Sequence, residues 1–356
     1  MTSKKRIRIT TIVVIVLASA SFWMITHKDS GTIRKELYDF AVTDTASITK
    51  IYMVNTGGKE LTLEKIEKGN WKVNGKFKAR NDALKNLFVT IKEMQVRNPV
   101  AKSAIENVSK QLATSSQKVE IYSGEKLIRS YYVGGDTQDG LGTFMLLTDP
   151  ETGENSTMPF VMFIPGFNGF LSIRYFMEED LWRDRTIFAF YPDKISSITV
   201  EYARLRDSSF TISLSDTNLI SLADSKGKNI PDFDTLKAKR YITYYTNIQY
   251  EALKNDMRKS FVDSVLAKGP VHIIKLKDRD GKIHAAKTFS KPAADQNKTD
   301  EVTGKPITED LERMFALIND DKDIALIQYY VFGKLFQGVS YFKKPSSPNQ
   351  AIHVKK

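Results

Sequence analysis

The chain has 356 residues, 41% of them hydrophobic and 27% charged, which is ordinary for a globular protein with one large domain or two modest ones and excludes a disordered chain. It contains no cysteine, which removes structural disulfides, thiolate metal sites, cysteine nucleophiles and an acylated lipoprotein N-terminus. The formal net charge is +11; Lys4, Lys5, Arg6 and Arg8 carry four of those charges, and the other basic residues are scattered among 42 acidic ones like the charges of a solvated surface.

Residues 1–8 form a basic flank and residues 9–26 an uncharged, largely apolar run. A basic flank before such a run predicts a transmembrane signal anchor that contacts membrane lipid through Ile9 to Thr26, with the N-terminus cytoplasmic. The expected location is therefore the inner membrane, single pass, with the bulk of the chain periplasmic. About twenty residues cross the hydrocarbon layer, so the run is marginal, helped by Trp23 at the interface. A second reading stays open: Ala18-Ser19-Ala20 has the small-x-small form of a signal-peptide cleavage site. No second long apolar run follows, which excludes a polytopic transporter. The absence of cysteine favours a bacterial extracytoplasmic protein over a secreted eukaryotic one, and on the far side of a membrane no nucleic-acid partner is expected.

Residues 27–43 read as a linker. The first unit, 44–190, opens with Ile48-x-x-Ile51-x-Met53, Leu61-Thr62-Leu63 and Trp71-Lys72-Val73, short alternating segments separated by Asn55-Thr56-Gly57-Gly58 and Gly69-Asn70. This is the pattern of half-buried antiparallel strands. Leu84, Leu87, Phe88, Ile91 and Met94 recur at helical spacing, and a second candidate helix carries Ile105, Val108 and Leu112. Strands return at 119–122, 127–133, 144–147 and 160–164, with a turn at Ser123-Gly124-Glu125.

The second unit, 191–342, repeats this order. Ile195-x-x-Ile198-x-Val200 matches the first motif, Phe210-Thr211-Ile212 the second, residues 236–253 supply the helical part, and the hairpin turning at Asp278-Arg279-Asp280-Gly281 mirrors the one around Gly124. Corresponding points lie roughly 150 residues apart, which predicts a diverged tandem duplication. The expected fold class is α+β: one transmembrane helix, then two similar lobes, each a small antiparallel sheet with one or two helices. Residues 293–306 read as a mobile insertion and 343–356 as a disordered tail.

Three stretches are candidate ligand or partner contacts. Gly134 to Gly142 is the richest glycine stretch; Gly134 and Gly135 open it, and Asp136 and Asp139 are oxygen donors, although the series needed for a calcium loop is incomplete. Phe163, Phe167 and Phe170 belong to an aromatic-rich stretch that would suit sugar stacking, a protein anchor or a lobe interface. Trp182, Arg183 and Arg185 stand in Trp-Arg-Asp-Arg, two guanidiniums flanking a carboxylate beside an indole, which suits bidentate grip of an anion or structural ion pairs. The four histidines lie far apart in sequence; only His272 and His284 could meet, across their hairpin. No nucleophile motif, metal set or cofactor fingerprint is visible, so no catalytic, metal or cofactor residue is expected.

The succession Ile48-x-x-Ile51, Trp71-Lys72-Val73, Tyr132-Val133-Gly134-Gly135, Gly142-Thr143-Phe144-Met145, Pro165-Gly166-Phe167 and Trp182-Arg183-Asp184-Arg185 resembles the bacterial family called domain of unknown function 4340. The resemblance runs from about Ile48 to Tyr250 and fades in the C-terminal third. It implies a membrane-anchored or exported protein of Bacteroidota or related bacteria, accompanying transport systems related to gliding motility, and it brings no catalytic residues. The expected function is a membrane-anchored extracytoplasmic binding or scaffold protein of the cell envelope with an envelope protein partner; the alternative is an envelope protein that binds or hydrolyses glycans.

Overall fold

The computed structural model describes residues 39–344 except 218, 296–298 and 302, together with Val16 and Ser19. The expected anchor, linker start and tail lie almost wholly outside these residues. Among the described residues no helix is long and apolar enough to cross a membrane. The protein is a mostly-β α+β protein, and the chain divides into two compact units between Asp184 and Arg185, a few residues before the expected boundary.

In the first unit the alternating segments become strands β1 (Lys50–Asn55), β2 (Glu60–Lys65) and β3 (Trp71–Val73), each turning its apolar residues inward, with β4 (Phe77–Lys78) at the edge. Helix α1 (Asn81–Glu93) follows, then β5 (Gln95–Pro99) and α2 (Ile105–Ser115). Strands β6 (Gln117–Ser123), β7 (Lys126–Asp136), β8 (Thr143–Thr148) and β9 (Phe160–Phe163) and the short α3 (Glu179–Trp182) complete it. These strands form one nine-stranded antiparallel sheet in the order β4-β3-β2-β1-β6-β7-β8-β9-β5. Helix α1 buries Leu84, Leu87 and Ile91 with Ile51, Leu63, Val119 and Tyr131 in the main core. On α2, Val108 and Leu112 join a separate small cluster with Val100 and Val161, against which Tyr132 and Phe144 pack.

The second unit contains β10 (Thr186–Phe188), β11 (Ile195–Tyr202), β12 (Phe210–Leu214), β13 (Ile220–Asp224), α4 (Thr235–Thr243), β14 (Ile248–Gln249), β15 (Ala252–Leu253) and α5 (Lys259–Leu266). It continues with β16 (His272–Asp278), β17 (Ile283–Pro292), β18 (Glu309–Ile318), β19 (Asp323–Gln328) and α6 (Tyr329–Phe332). Its main sheet has eight strands in the order β13-β12-β11-β16-β17-β18-β19-β15, and β10 pairs with β14 in a small third sheet. Both large sheets are antiparallel throughout, and neither is the small sheet expected: each hairpin series is extended by a strand from the helical part, β5 or β15, which pairs at the far edge.

Set β1 against β11 and the two orders coincide, apart from β4, whose counterpart is a single bridge, Ala223 to Asn229. The details recur. Phe40 and Phe188 are buried in their respective cores, and two residues further on Val42 N–H donates to the Ile91 carbonyl at 3.0 Å and Phe190 N–H to the Tyr245 carbonyl at 2.9 Å. Gly124 and Gly281 take φ of 60° and 86° in the matching hairpin turns, a region glycine enters without a Cβ clash. The expected helix over 236–253 stops at Thr243, because Ile248–Gln249 and Ala252–Leu253 are drawn into ladders with β10 and β19.

Candidate functional site

The glycine loop joins β7 to β8, and its polar groups are turned on the chain itself. Thr137 N–H donates to the Gly142 carbonyl at 2.9 Å. The Asp136 carboxylate accepts from the Thr143 and Ser172 hydroxyls, both at 2.8 Å, while Thr143 Oγ1 accepts the Leu171 N–H at 2.9 Å. Asp139 accepts from the Thr137 hydroxyl, the Leu141 N–H at 3.0 Å and Arg97 at 3.1 Å; these bonds hold its carboxyl below the usual carboxylate range. The glycines serve packing: a Cβ on Gly134 would lie 2.5 Å from Leu112 Cδ2, and one on Gly142 would lie 2.4 Å from Val161 Cγ1. They let α2 and β9 approach closely. Among the described residues no group of three or more His, Asp or Glu is placed to hold a metal ion.

The three phenylalanines are all half-buried. Phe163 ends β9, beside Gln95 of β5. Phe167 packs on the first unit's core with the Arg174 guanidinium 4.3 Å above its ring. Phe170 lies against Gly140, its ring carbons 4.0 Å from where a Cβ there would stand. Phe167 and Phe170 thus have separate neighbours.

In Trp-Arg-Asp-Arg, Trp182 is fully buried, donates its indole N–H to the Phe176 carbonyl at 2.8 Å and lies 4.2 Å from the Phe176 ring. Arg183, 6% exposed, stacks its guanidinium 3.7 Å over Phe77 and reaches Asp180 at 3.5 Å. Their backbone runs beside β4: Arg80 N–H donates to the Trp182 carbonyl at 2.7 Å and Asp184 N–H to the Lys78 carbonyl at 2.8 Å. The segment covers part of the sheet edge at β4. Arg185 opens the second unit, its carbonyl accepting the Tyr250 N–H at 3.0 Å. Of the two readings of the motif, an anion grip or structural ion pairs, the Arg183–Asp180 pair is of the structural kind, and the motif straddles the boundary between the units.

His272 and His284 do not meet. In the β16–β17 ladder His272 faces Thr288 and His284 faces Leu276. His272 is buried, its Nδ1 3.0 Å from the Thr288 hydroxyl and its ring stacked 3.9 Å from Phe336; burial lowers its pKa to about 4. His284 Nε2 lies 2.9 Å from Asp278. Two buried tyrosine pairs, Tyr131 with Tyr175 and Tyr241 with Tyr245, share hydroxyl contacts at 3.1 and 2.9 Å; burial raises all four pKa values, keeping the phenols neutral.

What the motifs did not reveal is a groove present once in each unit. In the first it has about 450 Å³ and is lined by Thr45, Trp71, Leu84, Lys85, Phe88 and Val89, with Lys92 at its end. In the second it has about 470 Å³ and is lined by Pro192, Leu214, Ile220, Lys239, Ile242 and Thr243, with Tyr191 and Asp193 at its rim. The linings correspond. Lys85, Phe88 and Val89 on α1 match Lys239, Ile242 and Thr243 on α4 at one constant offset. Trp71 and Ile220 hold the same place on β3 and β13, and Thr45 and Pro192 each begin the 3-10 turn that leads into the first strand. The only trace of this in the sequence was the like order of segments in its two halves: apolar residues flanking a helix, most of them buried, carry no motif of their own.

The chain matches no family model, no curated protein and no solved structure.

Proposed function

We propose that this protein is a single-pass, membrane-anchored binding or scaffold protein of the bacterial cell envelope, akin to domain of unknown function 4340 proteins and auxiliary to a transport or gliding-type assembly, with an extracytoplasmic part built by tandem duplication. The observation that carries the binding reading is the groove that recurs at equivalent positions of both units. Duplication is supported by the common strand order and by the repeated Val42–Ile91 and Phe190–Tyr245 hydrogen bonds. Anchoring is supported by the basic flank and the apolar run from Ile9 to Thr26. A glycan-stacking role would need Phe163, Phe167 and Phe170 together, and the separate neighbours of the last two give it no support.

Fractionation of a bacterium expressing the full chain tests this reading. The protein is expected in the carbonate-resistant membrane pellet, with protease added to spheroplasts digesting the part beyond residue 39 and sparing an N-terminal tag. Recovery in the soluble cytoplasmic fraction, or as a lone monomer under gentle crosslinking in intact cells, would overturn it. N-terminal sequencing of the mature protein separates a retained anchor from cleavage after Ala20.

A further inference from the structure

Deepening the binding reading just given, on which it rests, we infer that the two grooves are equivalent docking sites for an acidic polypeptide segment of a partner protein, each taking one leucine or phenylalanine side chain beside a carboxylate. The floor is apolar in both: Trp71, Leu84 and Phe88 in the first unit, Leu214, Ile220 and Ile242 in the second. The rim keeps apolar surface in water, with Val89 40% and Tyr191 70% exposed, a cost that burial against a partner recovers.

Beside each apolar floor the same helix position carries a lysine, Lys85 or Lys239, and neither has an ion-pair partner among the described residues. Lys92 also lines the first groove but pairs with Glu93 at 3.5 Å, and the carboxylate in the second, Asp193, pairs with Lys194 at 3.3 Å. Lys85 and Lys239 are thus the charges left to a ligand, which calls for a negative one, and the excess of basic over acidic residues that remains beyond the four basic residues of the N-terminal flank would speed its approach. The grooves are open rather than tunnels, which suits a side chain on a backbone better than a long acyl chain. A lysine kept at the same place while its neighbours diverged, Phe88 to Ile242 and Val89 to Thr243, is the pattern of a shared ligand charge with side-chain preference tuned in each unit.

The test uses the full chain in detergent and a fluorescein-labelled nonapeptide, Gly-Asp-Glu-Leu-Phe-Glu-Asp-Gly-Ser, with calorimetry for stoichiometry. Two peptides per chain are expected to bind, with affinity falling as salt rises. Lys85→Glu and Lys239→Glu, at positions with no ion pair to lose, should each weaken one site by about tenfold or more, and the two together should weaken both sites. Val89→Glu and Thr243→Glu, which fill the groove mouths and repel a carboxylate, should do the same, with unchanged circular dichroism melting showing that the fold survives. The inference is overturned by no saturable binding up to about 1 mM peptide, by affinity indifferent to all four substitutions, by equal binding of a control with lysine in place of each acid, or by decanoate competing at equal concentration. A chain that fractionates as a membrane protein yet binds no peptide sinks this inference alone; a cytoplasmic chain sinks the reading beneath it.

Discussion

The two units share strand order, helix placement and the phenylalanine that precedes the first strand, yet they fill their cores differently. Where α1 of the first unit buries Leu84, Leu87 and Ile91, the corresponding stretch of the second buries Ala238, Tyr241 and Tyr245. The two tyrosines join hydroxyls and Tyr241 donates to the Leu335 carbonyl at 2.8 Å, so the larger rings are accommodated only with their polar ends satisfied. The first unit places its own tyrosine pair between β7 and the loop at Tyr175 instead. One topology thus tolerates two interiors, because apolar periodicity and volume specify the fold more than residue identity does.

Four experiments bear on this comparison. The largest effect should come from Trp182→Ala, which empties a fully buried site and orphans the Phe176 carbonyl; about 3–5 kcal/mol should be lost, read by calorimetry as a lowered transition of the first unit while the second keeps its own. Loss spread equally over both units would show that they unfold as one body. Next is acid. Since the folded chain holds His272 with a pKa of about 4, the unfolded chain binds a proton the folded one refuses between pH 6.5 and 4. Stability should therefore fall as pH falls through that window, by about 3 kcal/mol in full, and be insensitive to His272 above it. Urea midpoints against pH should show this slope, and His272→Phe should remove it while keeping the stack on Phe336.

Gly134→Ala should cost about 1–3 kcal/mol, because its Cβ would press on Leu112 at 2.5 Å and on the Phe144 carbonyl at 3.1 Å. Gly135→Ala meets the flexible end of Gln111 and should cost well under that; equal losses in thermal melts would refute the packing role given to the first glycine. The smallest effect is in the hydroxyl pairs. Tyr241→Phe should cost about 1–2 kcal/mol and Tyr175→Phe about 1 kcal/mol, since the former leaves both Tyr245 and the Leu335 carbonyl short of a partner and the latter only Tyr131.

Much of the fold was legible. The alternation in Ile51 and Met53, Leu61 and Leu63, Trp71 and Val73 announced β1 to β3, and Leu84, Leu87, Phe88 and Ile91 announced α1, because burial of one face imposes its period on the chain. The segment 236–253 misled, since Ile248 and Leu253 are apolar residues whose helical or extended state is decided by the strands they meet. The candidate site was less legible than the fold. Gly134, Asp136, Trp182 and Arg183 are chemically conspicuous, but a glycine that admits a helix and a guanidinium spent on Phe77 look in sequence like ligand contacts.

By itself, then, the sequence determined the periodicities, the like order of segments in the two halves and the absence of cysteine chemistry, all properties of residue order and type. Only the tertiary structure decided how far each sheet extends, which polar groups are consumed internally, and that Lys85 and Lys239 stand at the same place beside two open grooves. Those depend on contacts between residues far apart in the chain, and the residues that line a groove carry no local pattern of their own.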